Sequence, residues 1–171
     1  MNKILFVFIA LFIFTAILHA EEKNAKTQTK VREETSVSSL PYPADQTQSA
    51  FTRTVHGGVQ HVIAKSKDNF ELIKLIQAHL LNITEQFRKG DFSFTEQMHG
   101  SDMPGLIQLK TAKPYDIKFE YRALENGGQI HFSSEYPQYV SALHEWLDAQ
   151  ALEHGNADIP GHKQHHSSNS E

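Results

Sequence analysis

The chain has 171 residues, no cysteine and a formal net charge of −4. Without cysteine there is no disulfide and no thiolate to act as nucleophile or metal ligand, so stability must come from a packed core. A mildly acidic chain with no run of Lys or Arg lacks the basic patch that phosphate neutralisation requires, which argues against nucleic acid as a partner.

Residues 1–20 read as a secretory signal. Met1-Asn2-Lys3 forms a short positive end, an apolar run follows to Leu18, and Leu18-His19-Ala20 precedes Glu21. A run of about 15 residues matches a signal core and falls short of the roughly 20 that a membrane anchor needs. Cleavage is expected after Ala20, and the absence of cysteine at the cut excludes a lipid-anchored precursor. Losing Lys3 leaves a mature charge of about −5, and about 150 residues suit one domain. The expected compartment is the periplasm or the exterior, with no membrane span after cleavage.

Residues 21–50 are rich in Ser, Thr, Gln, Glu and Lys and include Pro41 and Pro43. Such a stretch buries too little surface to offset the entropy of ordering, and it reads as a disordered linker. The domain is set at 51–156. The polar stretch 157–171, with His162, His165 and His166, reads as a disordered tail.

Within the domain, Val59, Val62 and Ile63 around His61 predict a strand over 59–65. Phe70, Ile73, Ile76, Leu80, Ile83 and Phe87 then recur at steps of three and four, which predicts a long amphipathic helix over 68–89. Ser66 or Asp68 would cap it, and Gly90 would end it. Pro104 fits the first turn of a short helix that Ser101 or Asp102 would cap, with Leu106, Ile107 and Leu109 as its apolar side and Pro114 as its stop. Tyr115, Ile117, Phe119 and Tyr121 alternate with charged residues as a half-buried strand does. Asn126-Gly127-Gly128 signals a hairpin turn, and 129–133 is the return strand. A second main helix runs from Pro137 to about Glu153. The predicted fold is α+β, in the order β-α-α-β-β-α. A three-stranded sheet, antiparallel or mixed, has two main helices and the short one on a single face. A right-handed crossover would set the first strand parallel to a member of the hairpin, as in a split β-α-β unit.

Chemistry rests on histidine. Imidazole is the commonest metal ligand, and with no thiolate a transition-metal site needs His, carboxylate or Met. There is no His-Glu-x-x-His and no tight His-x-His, so any site must be assembled by folding. His99-Gly100-Ser101-Asp102-Met103 places imidazole, hydroxyl, carboxylate and thioether on one loop, and capping alone also explains Ser and Asp there. His61 shares a strand face with Val59 and Ile63, and His79 borders the helix stripe. His144 and Asp148, four apart, are either a ligand with its orienting carboxylate or a local polar pair. The candidate metal residues are His61, His79, His99, Asp102 and His144. The ion would be copper or zinc, with Met98 and Met103 favouring copper(I) if they take part, and a small ligand is the alternative to a metal ion as the bound partner. Two other readings stand beside this: a metal-independent interaction module, and a small acid–base enzyme using His99 with Asp102. No Gly-x-Ser-x-Gly elbow, Ser-x-x-Lys or phosphate loop is present.

Four segments carry a resemblance. They are Val59-Gln60-His61-Val62-Ile63, Ile76-Gln77-Ala78-His79-Leu80, 99–106 (His-Gly-Ser-Asp-Met-Pro-Gly-Leu), and 142–150 (Ala-Leu-His-Glu-Trp-Leu-Asp-Ala-Gln) with His154-Gly155. From His56 to His154 the chain resembles a family of small exported bacterial proteins, mostly uncharacterised, that often carry the label aspartate carbamoyltransferase. The resemblance implies an exported small domain and points to His61, His79, His99 and His144. The enzyme's Ser-Thr-Arg-Thr-type carbamoyl phosphate loop and His-Pro-x-Gln segment do not occur in this chain, so no reaction is carried over.

Overall fold

The computed structural model describes residues 40–159. The signal segment with its cut after Ala20, linker residues 21–39 and tail residues 160–171 lie outside the described residues.

A 3-10 turn at Ala44–Gln46 leads into β1 (Thr47–Thr54), which turns through Val55-His56 into β2 (Gly57–Ala64). Three helices follow: α1 (Phe70–Arg88), α2 (Ser93–His99) and α3 (Leu106–Leu109). The hairpin β3 (Lys118–Leu124) and β4 (Gly127–Ser133) then precedes α4 (Pro137–His154). The sheet has four strands in the order β1-β2-β4-β3, and every neighbouring pair is antiparallel. The three-strand expectation is thus corrected to four. The missed strand is β1, whose sequence Thr-Gln-Ser-Ala-Phe-Thr-Arg-Thr offers only Ala50 and Phe51 as apolar residues. It begins within the stretch whose composition reads as linker. An edge strand buries little, so its pattern is faint. The element order becomes β-β-α-α-α-β-β-α. β2 and β3 still run in one direction, with β4 between them antiparallel to both, so the split arrangement is present.

Helix α1 starts at Phe70 because Asn69, rather than Ser66 or Asp68, caps it: its side-chain oxygen accepts from Leu72 N at 3.2 Å. Its buried stripe is Leu72, Ile73, Ile76, Leu80, Ile83 and Phe87. Phe70, by contrast, is exposed. Helix α1 packs on β2, β4 and β3, and α4 packs on β1 and β2. Between them Phe87, Phe119, Phe132 and Trp146 form a continuous aromatic core. Helix α2 was not expected, and α3 is shorter than expected. Gly105, not Ser101 or Asp102, stands at the start of α3, Pro104 lies before it, and Ile107 is exposed.

Each sheet edge receives hydrogen bonds from outside the ladder. Arg88 Nε donates to Phe119 O of β3 at 2.8 Å. On β1, Phe51 N donates to Asn156 Oδ1 at 2.9 Å and Ser49 O accepts from Ala157 N at 2.8 Å. Ile159 is buried against Ala50 and Ile63 on the face away from the helices. Residues 157–159, expected in the disordered tail, therefore belong to the folded unit. No helix among the described residues is long and apolar enough to cross a membrane.

Candidate metal centre

The five sequence candidates do not meet. His61 is 3% exposed on β2. Its register partners are Ala50 and Gln129, on the sheet face opposite the helices. There its Nε2 donates to Gln129 Oε1 at 2.5 Å, and the Gln129 amide donates on to His131 Nε2 at 2.8 Å. His144 Nε2 donates to the Thr54 carbonyl at 2.9 Å, tying α4 to the end of β1. Asp148 makes its bond to Arg53 Nε at 2.7 Å and so is paired away from His144. Asp102 is exposed in the turn after α2. Only His79 and His99, on α1 and α2, line one cavity.

The structure instead gives His99 two partners that the sequence reading passed over. Its Nδ1 is bonded to Glu153 Oε2, and its Nε2 stands 3.2 Å from His154 Nε2. The donor atoms of His99, Glu153 and His154 all lie within 4.8 Å of one another. Local chain geometry explains the meeting. His99 is the last residue of α2 and His154 the last of α4, and each is followed by glycine with positive φ, 89° at Gly100 and 79° at Gly155. At such a φ a glycine carries the chain off the helix without strain, leaving the preceding imidazole at the helix mouth. The repeated His-Gly at two helix ends was the available signal. Nothing in the spacing links them, because 55 residues separate the two histidines.

The electrostatics favour a cation. A carboxylate only accepts, so His99 Nδ1 donates to Glu153, and its Nε2 is left to accept from the Nε2–H of His154 in the 3.2 Å contact between the rings. This is the carboxylate–histidine arrangement that orients metal-binding imidazoles. The carboxyl end of α4 adds partial negative charge at the same place. Burial, and then the neighbouring His99 ring, hold the His154 pKa below its ordinary value, while Glu153 pulls the other way. The His99 side chain is 7% exposed, whereas that of Glu153 is half-exposed at the rim. Two nitrogens bound at about 2.0–2.1 Å to one tetrahedral zinc stand about 3.3 Å apart by trigonometry, close to the separation of this pair.

His99 and His154 line a cavity of about 430 Å³ whose walls include Tyr42, Phe51, His79, Phe94, Met98 and Trp146. The His79 ring meets Tyr42 edge-on at 5.5 Å and Phe94 at 5.1 Å. Burial there lowers its pKa to about 4 and raises that of Tyr42 to about 12. Met103 is buried in the core and accepts from Gln150 Nε2 at 3.7 Å, so of the two methionines Met98 is the one on the cavity wall.

No family model matches the chain, and the searches of curated proteins and of solved structures likewise find no match.

Proposed function

We propose that this is an exported binding protein for a transition-metal ion, zinc or copper, taken up at His99 and His154 with Glu153 as third ligand or orienting carboxylate. The observation that carries the reading is the 3.2 Å approach of two imidazole Nε2 atoms, one of them aligned by Glu153. The signal-like segment and the resemblance to small exported proteins support the compartment. Two or three protein ligands leave coordination positions for water or a small ligand, so the site suits capture or presentation of an ion better than a closed structural role.

The test is titration of chelator-treated protein with Zn²⁺ and with Cu²⁺, by calorimetry and thermal melting. One equivalent should bind and raise the melting temperature, as any ligand specific for the folded state does. His99→Ala and His154→Ala should each abolish the rise. Glu153→Gln should weaken binding by about 10- to 100-fold, the usual cost of losing an orienting partner, and His144→Ala should leave binding unchanged. Absence of saturable binding by either ion overturns the reading.

A second reading draws on the same pair. A carboxylate-oriented imidazole on a cavity wall is also the arrangement of a general base. In that case the carboxylate is Glu153, because Asp102 makes no bond to His99. The engagement of His99 Nε2 by a second imidazole favours the metal.

A further inference from the structure

On the sheet face away from the helices lies a hydrogen-bonded chain that the metal reading does not use. His61 of β2 and Gln129 of β4 are register partners, 3% and 2% exposed, and His131 further along β4 is half-buried. Gln129 bridges the two imidazoles: His61 Nε2 donates to its Oε1 at 2.5 Å, and its Nε2 donates to His131 Nε2 at 2.8 Å. An amide has one accepting end and one donating end. While it bridges, one of the two ring Nε2 atoms must carry a hydrogen and the other must be bare. A ring with a bare nitrogen is neutral, so the bridged pair holds at most one positive charge. That limit comes from Gln129 and holds alongside the further contacts that each ring makes.

The bare atom is His131 Nε2, so His131 is the ring that cannot be charged in this arrangement. It is nevertheless the better place for a charge. It is the more exposed ring, and its register partner on β3 is Glu120. A charge on His61 would meet the full cost of burial. The other charged groups that β3 sets on this face are Arg122, opposite Gln129, and Lys118, opposite Ser133. From β1 come Gln48, Ala50 and Thr52, none of which titrates, and Asp158, beside Ile159, is exposed. For His131 to take a proton, Gln129 must turn its oxygen toward it. The amide N–H then faces His61, which must leave Nε2 bare and carry its hydrogen on Nδ1.

We propose that His61, Gln129 and His131 form a one-proton switch, in which protonation of His131 turns the Gln129 amide and moves the hydrogen of His61 from Nε2 to Nδ1. The pair gains one proton from water in all, since His61 loses one hydrogen and takes up another. His61 is the register partner of Ala50, against which Ile159 packs, so the change arrives where the chain after α4 is anchored. The switch does not rest on the metal reading and is tested on chelator-treated protein labelled with ¹⁵N and ¹³C at histidine, whose ring shifts distinguish the two neutral tautomers from the imidazolium. At about pH 8, above the range in which imidazole ordinarily titrates, His61 should show hydrogen on Nε2 and His131 on Nδ1. On acidification His131 should become charged while His61 stays neutral and changes to the Nδ1–H tautomer, both with one midpoint. Gln129→Glu offers an acceptor to both rings, so both should become charged, at midpoints at least about one pH unit higher. If that variant does not fold, the tautomers of the unaltered protein decide alone. Four results overturn the proposal: His131 charging while His61 keeps hydrogen on Nε2, both rings charging in one step, His61 charging instead, or no titration of His131 before the fold is lost.

Discussion

His79 shows what burial does to a single side chain. Its position on α1 at the edge of the apolar stripe was legible from the period. Its state was not, because Tyr42, one of the rings that enclose it, lies in a stretch whose composition reads as linker. Desolvation holds its folded pKa at about 4, against an ordinary value of 6.5. Between those two values the unfolded chain takes up a proton that the folded chain refuses, so stability falls as pH drops through that window and is fully present above it. The contribution lost between pH 7 and pH 4.5 is about 2 kcal/mol after allowance for partial exposure. His79→Phe keeps an aromatic ring between Tyr42 and Phe94 and has no proton to gain. Urea denaturation at the two pH values should show the unaltered protein losing about 2 kcal/mol more than this variant. Equal losses would mean that the ring is protonated without strain.

At the level of elements, periodicity gave α1 and α4 almost to the residue because a long buried stripe repeats every three or four positions. The hairpin was legible for a similar reason, from the alternation through Phe119 and Tyr121 and the glycines at the head of β4, but the strand begins only at Lys118, and Tyr115, read as part of it, is exposed with φ of 76°. The polar edge strand β1 and the short α2 bury too little to leave such a trace. The site was half legible. His99 was singled out from its loop, but Glu153 and His154 join it only because two helices end at one place, which no local pattern encodes. The ends of elements carry the cheapest tests. Asn69→Ala removes the α1 cap and should cost about 1 kcal/mol. Gly105, at the head of α3, has φ of 75°, and a Cβ there would stand 2.1 Å from the Ala142 carbonyl oxygen of α4. Gly105→Ala should therefore cost clearly more, at least about 2 kcal/mol, through both backbone strain and forced separation of the helices. Comparing the two urea midpoints checks the order. If the cap proved the more costly, α3 would not be pressed against α4 as described.

On the scale of the whole molecule, the chain following α4 locks the fold and positions the site. After Gly155 it turns back along β1, where Asn156 accepts from Phe51 N and Ala157 donates to Ser49 O. Ile159 then inserts beside Ala50 and Ile63. These contacts pin the last turn of α4, which carries Glu153 and His154, while α2 presents His99 from the other side. Asn156→Ala strips one acceptor from the edge of β1 and should cost about 1 kcal/mol globally. Its local effect should be larger in relative terms. The Phe51 amide should lose most of its hydrogen-exchange protection, while amides in β2 and β4 keep theirs, because edge openings are less costly than global unfolding. Zinc affinity should then fall a few-fold, far less than in His154→Ala, since the ligands remain and only their pre-ordering is lost. Unchanged affinity alongside an exposed Phe51 amide would separate the strap from the site and leave the geometry of the histidine pair to the two helix ends alone.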